Sequence, residues 1–151
     1  LFNWLAPMIQ GARVLDLFAG SGALGFEAAS RGAAQVTLVD SHPRVVSQLQ
    51  QNVRLLQATQ MAVYQSEVLR YLERTGEACD MVFLDPPYQT RVLEDCFDRL
   101  ETGGWLTNEA WIYFEHDSHG PAPSLPANWQ LQRNKQAGQV AYLLAQRLPP
   151  E

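Results

Sequence analysis

Two clusters of residues in this 151-residue chain have types and spacings suited to chemistry. The first is Asp85-Pro86-Pro87-Tyr88, which closes the nearly continuous apolar run Cys79 to Leu84. Neither proline can donate to a strand ladder, so the run stops abruptly and leaves carbonyls that the chain does not reuse. The Asp85 carboxylate and the Pro86 carbonyl can together accept both hydrogens of an exocyclic amino group. Tyr88 can stack on the attached base, a contact worth ~1–3 kcal/mol. An aromatic amine is a poor nucleophile because its lone pair is delocalised into the ring. Two acceptors on its hydrogens draw the nitrogen toward tetrahedral geometry and aim the lone pair, and positioning supplies the rest. The competing reading is an ordinary Pro-Pro turn after a buried strand.

The second cluster is Asp16-Leu17-Phe18-Ala19-Gly20-Ser21-Gly22-Ala23-Leu24-Gly25. Glycines at this point let backbone approach a ligand, and the helix that follows offers free N–H groups. Gly20, Gly22 and Gly25 satisfy G-x-G-x-x-G, with Asp40 20 residues beyond Gly20; by the letter this is a dinucleotide fingerprint. A carboxylate at the end of a second strand hydrogen-bonds ribose hydroxyls, which NAD and S-adenosylmethionine share, so the pattern fits either. Asp16 favours the second. At the tip of the first strand it aims a negative charge into the cleft, repelling a pyrophosphate and attracting a sulfonium with its α-ammonium. Against this stand a turn carboxylate at Asp16 and a helix cap at Asp40-Ser41.

Both clusters need a scaffold that puts strand ends side by side. Arg13–Leu17 reads as a buried strand, followed by a helix through about Arg31 that Gly32 stops. Gln35–Val39 is a second strand ending in Asp40. Ser41 caps a helix through Gln57, with Val45, Val46, Leu49, Val53 and Leu56 on its buried face. Met61–Gln65 reads as a third strand, Ser66–Arg74 as a short helix, Cys79–Leu84 as a fourth strand, and Val92 to Leu100 as a helix. Trp111–Glu115 is a fifth strand, with Glu115 at its cleft end, either beside a bound base or structural. After the proline-rich stretch Gly120–Pro126, Trp129–Arg133 and Val140–Arg147 form an antiparallel hairpin turned at Gly138. The fold expected is α/β: one doubly wound, mainly parallel Rossmann-like sheet with a C-terminal antiparallel hairpin. Ligands of such sheets bind beyond the carboxyl ends of the strands, where both clusters fall.

Composition narrows the classes. Hydrophobic residues at 46% can build a core, and no apolar run approaches a membrane span. Cys79 and Cys96 match neither a disulfide framework nor a zinc pattern, so a reducing cytoplasm is expected, with both thiols in the core; the protein is expected to be a monomer. His116-x-x-His119 lies in a polar loop without further ligands, and no metal is expected. The net charge is -5, and only Arg133 and Lys135 among the eleven basic residues lie close together. A self-sufficient nucleic-acid binder carries a basic stripe. That lack, with a start at Leu1 inside an apolar stretch, suggests a piece of a longer protein.

Leu1-Phe2-Asn3-Trp4-Leu5, Asp16 to Gly22, Asp85 to Tyr88, Ile112-Tyr113-Phe114-Glu115 and Lys135-Gln136-Ala137-Gly138-Gln139-Val140 together resemble the RsmD-type family. These are class I S-adenosylmethionine-dependent methyltransferases that modify N2 of a guanine in small-subunit ribosomal RNA. The resemblance spans essentially the whole chain. It implies one methyltransferase domain, 1–151, lacking a basic N-terminal extension, with S-adenosylmethionine as cofactor. The implied cofactor contacts are Asp16, Phe18, Ala19, Gly20, Ser21 and Gly22, then Asp40 and Ser41, then Glu67 and Val68. Ser66-Glu67 stands where relatives often place Asp or Asn for the adenine. Asp85, Pro86, Pro87 and Tyr88 would hold the amine. The implied partner is ribosomal RNA or a small-subunit assembly particle, bound less firmly without the basic arm. Other possibilities are an adenine-N6 or cytosine-N4 methyltransferase, an NAD-dependent oxidoreductase, and a non-catalytic ribosome-assembly module.

Overall fold

The computed structural model describes residues 2–86 and 90–149. Pro87 and Tyr88, two of the expected amine-holding residues, therefore lie outside the described residues. The elements run α1 (Phe2–Ile9), β1 (Arg13–Leu17), α2 (Ala23–Ser30), β2 (Gln35–Asp40), α3 (Pro43–Leu55), β3 (Met61–Gln65), α4 (Val68–Tyr71), β4 (Cys79–Leu84), α5 (Thr90–Thr102), β5 (Leu106–Asp117), β6 (Trp129–Ala137) and β7 (Val140–Arg147). The strands form one seven-stranded sheet in the order β3-β2-β1-β4-β5-β7-β6. The first five positions are parallel, and β7 is antiparallel to both β5 and β6. This is the expected Rossmann-like architecture. The order reverses between β1 and β4, which puts the crevice over the ends of those two strands.

Period-two alternation assigns each strand residue to a face. Leu15, Leu17, Val82, Leu84, Ile112 and Phe114 join one core with Tyr71, Leu93 and Phe97 from α4 and α5. Val14, Val36, Leu38, Met81, Phe83 and Tyr113 join the other, with Leu5 and Ile9 from α1, Ala28 from α2 and Leu49 from α3. No described helix is long and apolar enough to cross a membrane.

Several boundaries differ from the sequence reading. The cap of α3 is His42, not Ser41: its Nδ1 accepts from Arg44 N at 3.3 Å, and Pro43 takes the first helical position. The helix after β3 is the four residues Val68–Tyr71 rather than Ser66–Arg74. β5 begins five residues earlier than expected and runs past Glu115 to Asp117, because β7 pairs with it as far as Asp117↔Val140. β6 continues beyond Arg133 to Ala137 for the same reason, Ala137 pairing with Val140.

Candidate active site

The glycine turn is built from beneath by Asp16 and from the side by Asp40. Asp16 Oδ2 accepts from Gly25 N at 3.0 Å, pinning the first turn of α2 to β1. The fit is tight, since a Cβ on Gly25 would come within 2.4 Å of Leu38 and 3.0 Å of that same carboxylate oxygen. Gly22, at φ 80, makes the left-handed entry to the helix. Asp40 Oδ2 accepts from Gly20 N at 3.0 Å and Oδ1 from His42 N at 3.0 Å. One carboxylate thus joins the end of β2 to the turn after β1. Phe18, a non-glycine at φ 58, is strained backbone that this framework holds in place.

Four adjacent strands each place one carboxylate on the sheet face that carries Phe83 and Tyr113. β2 gives Asp40 and β1 gives Asp16. Asp85 directly follows Leu84 of β4, and β5 gives Glu115. Leu84 pairs with Phe114, so Asp85 and Glu115 are the next residues along two hydrogen-bonded strands. Asp16 is level with Leu38 and Phe83, one pleat repeat below the other three. The charge of Asp85 reaches both Asp16 and Glu115, and that of Asp40 reaches Asp16. Burial raises Asp16 well above the usual carboxylate range; its Gly25 hydrogen bond opposes this, and the charges of Asp85 and Asp40 add to it. Partial withdrawal from water raises Asp85. Burial likewise raises Glu115, offset by the Tyr113 hydroxyl, which donates to Oε2 at 2.7 Å, and reinforced by the Asp85 charge.

Above these groups lies a cavity of about 820 Å³, within the ordinary range for ligand sites. It brings together the expected residues Phe18, Gly20, Asp40, Ser41, Glu67, Val68, Asp85 and Pro86. Ala19, Ser21 and Gly22 shape the turn without lining the cavity. Asp16 is not at the strand tip facing the opening. It is only 3% exposed, beneath the turn. The sequence reading missed Leu69, Val92, Leu93, His116, Asp117, Gln139 and Val140 in the lining. The last four are brought there by the pairing of β5 with β7, which no local pattern announces.

The chemistry of this lining favours a cation. Asp40, Glu67, Asp85, Glu115 and Asp117 contribute carboxylates, and the described lining contains neither lysine nor arginine. A pyrophosphate would meet only repulsion from these side chains, whereas a sulfonium bearing an α-ammonium gains attraction from each. The residues present therefore fit S-adenosylmethionine and not a dinucleotide. Nor do the cysteines offer a nucleophile: Cys79 and Cys96 are buried, and burial pushes each thiol up to about 12. Among the described residues no group of His, Cys, Asp and Glu could hold a metal.

Known proteins are similar to this chain in sequence and overall fold. The ribosomal RNA small subunit methyltransferase D of Escherichia coli (strain K12) is 48% identical over 147 residues, covering 97% of this chain and 74% of that protein. Its Haemophilus influenzae counterpart is 39% identical over 150 residues, covering 97% and 77%. The solved structure of the putative methyltransferase yhhF from Escherichia coli matches with a TM-score of 0.96 at 47% identity, over 99% of this chain and 84% of that one. A family model described as "Conserved hypothetical protein 95" matches residues 1–146. With that match over nearly its whole length, the chain belongs to this family.

Proposed function

We propose that this protein transfers a methyl group from S-adenosylmethionine to the exocyclic N2 amine of a guanine in small-subunit ribosomal RNA. One observation carries the reading: Asp85 and the residue that follows it stand at the rim of an acidic cavity whose other wall is Gly20 and Asp40. Two acceptors beside a site suited to a cationic donor support this reading. When bound, S-adenosylmethionine supplies an electrophilic methyl group on a positively charged sulfur. Asp16, Asp40 and the turn Phe18 to Gly22 would hold it, with Ser41, Glu67 and Val68 along the nucleoside.

The chain's own groups do the remaining work. Asp85 hydrogen-bonds to no described residue, so its carboxylate is free to accept one N2 hydrogen while the Pro86 carbonyl accepts the other. The nitrogen lone pair then points into the cavity. Tyr88 would stack on the base, which must leave its helix or loop to reach this depth. No covalent enzyme intermediate is needed, and the amine sheds a proton once the new N–C bond has formed. Residues 1–151 act here as one domain and as a monomer, with ribosomal RNA or a small-subunit particle as partner in the cytoplasm.

The test is incubation of the protein with S-adenosylmethionine and unmethylated small-subunit ribosomal RNA, free and assembled into particles, followed by mass spectrometry of the nucleosides. N2-methylguanosine is expected. N6-methyladenosine or N4-methylcytidine in its place would overturn the choice of base, and no methylated nucleoside in either RNA form would overturn the reaction.

A further inference from the structure

We infer that Glu115 reads the base: its carboxylate accepts the N1–H of guanine and thereby excludes adenine and cytosine. The inference rests on the guanine-N2 reading above and extends it to the origin of base choice.

Three observations carry it. Glu115 lines the same cavity as Asp85 and Pro86. It is the next residue after the Leu84↔Phe114 pair on β5, as Asp85 is the next residue after β4, and the charge of Asp85 reaches its carboxyl. Finally, Glu115 is oriented: Tyr113 OH holds Oε2 at 2.7 Å, which leaves Oε1 as the open acceptor.

The edge that guanine presents with its 2-amino group also carries N1–H, so guanine offers adjacent donors. Asp85 and Pro86 would take the amine hydrogens, and Oε1 would take the neighbouring N1–H. Adenine presents its amine beside N1, and cytosine beside N3, both bare acceptors. Either would set a lone pair against a carboxylate in a site whose described lining holds no lysine or arginine to relieve it. A site that holds the amine alone accepts all three bases; an oriented carboxylate beside it accepts one.

The substitution Glu115→Gln reverses the code with little change in shape. The Tyr113 hydroxyl still requires an acceptor and takes the amide oxygen, which turns the NH₂ toward the base. That group opposes guanine N1–H and matches a bare ring nitrogen. The experiment compares small-subunit ribosomal RNA carrying either guanine or 2-aminopurine at the methylated position, because 2-aminopurine keeps the 2-amino group but has no hydrogen on N1.

For the unsubstituted protein kcat/KM should favour guanine by about 10–100-fold, and Glu115→Gln should lose most of this ratio or invert it. Tyr113→Phe, which releases Oε2, should reduce the ratio by a smaller factor. Thermal shifts with S-adenosylmethionine confirm that each variant is folded. A guanine preference unchanged in both variants would overturn the inference while leaving guanine-N2 transfer intact. Absence of methylguanosine with the unsubstituted protein would instead overturn the parent reading, and this one with it.

Discussion

The two halves of the cleft use carboxylates in opposite ways. Over β1 and β2, Asp16 and Asp40 are committed to the backbone, accepting from Gly25, Gly20 and His42 N–H groups. Over β4 and β5, among the described residues, the Asp85 carboxylate has no hydrogen-bond partner and the Glu115 carboxylate has only the Tyr113 hydroxyl. The first half is a finished framework with residual charge directed at a ligand. The second half has acceptors in reserve for a partner that arrives with donors. The same residue type thus fixes geometry on one side and keeps acceptor capacity unengaged on the other, according to how many of its lone pairs the fold has already taken up.

This contrast yields graded expectations. Asp85→Ala should produce the largest change, a drop in single-turnover methyl transfer of about 10²–10³-fold or more. Calorimetric S-adenosylmethionine affinity should stay within a few fold, because the framework half is untouched. Full activity in this variant would remove the distinction between the halves.

Asp40→Ala should come next. It strips acceptors from Gly20 and His42, each worth about 1.5–3 kcal/mol when the acceptor is charged. S-adenosylmethionine affinity should fall about tenfold or more, together with a lower Tm. Unchanged affinity would reduce Asp40 to a purely local role.

Asp16→Asn should give the smallest and most diagnostic effect. The amide oxygen can still accept from Gly25, so the turn survives. Because burial raises the Asp16 pKa in the folded state, the folded protein binds a proton more tightly than the unfolded chain. Its ionisation therefore costs stability, a penalty that grows as pH rises from the ordinary carboxylate range through the raised folded value. The variant should lack that penalty and show a Tm higher by a few degrees at neutral pH in the absence of ligand. It should also bind S-adenosylmethionine more weakly, and the gain in affinity with rising pH expected of the unsubstituted protein should be absent. A destabilised variant at neutral pH would show that the hydrogen bond, not the charge, governs this position.

Much of this was legible in the sequence because β1, β2, β3 and β4 are short apolar runs that end in turn chemistry, and their carboxyl ends carry Asp40 and Asp85. Gly20 and Asp40 were paired by spacing alone, and the structure joins them through a hydrogen bond. The depth of Asp16 was not legible, because it depends on how closely α2 settles over Gly25, a packing property. Nor was the start of β5. Thr107, Asn108 and Glu109 lack an apolar alternation, and that end is joined to β4 by the single pair Leu106↔Cys79 before a register shift. β6 is exposed along nearly its whole length, so no periodicity marks it beyond Arg133. His116, Asp117 and Gln139 reach the cavity only because β7 folds back along β5.

That overrun of β5 past the end of β4 has a consequence for how such a protein can change. Position 115 sits within a strand whose register is fixed by seven successive pairings with β7, Trp111↔Gln146 to Asp117↔Val140. A side chain there can be exchanged without remodelling a loop, and it cannot drift out of line when it is. New base preferences would thus be reachable by single substitutions on a rigid wall, with the donor-holding half left as it stands.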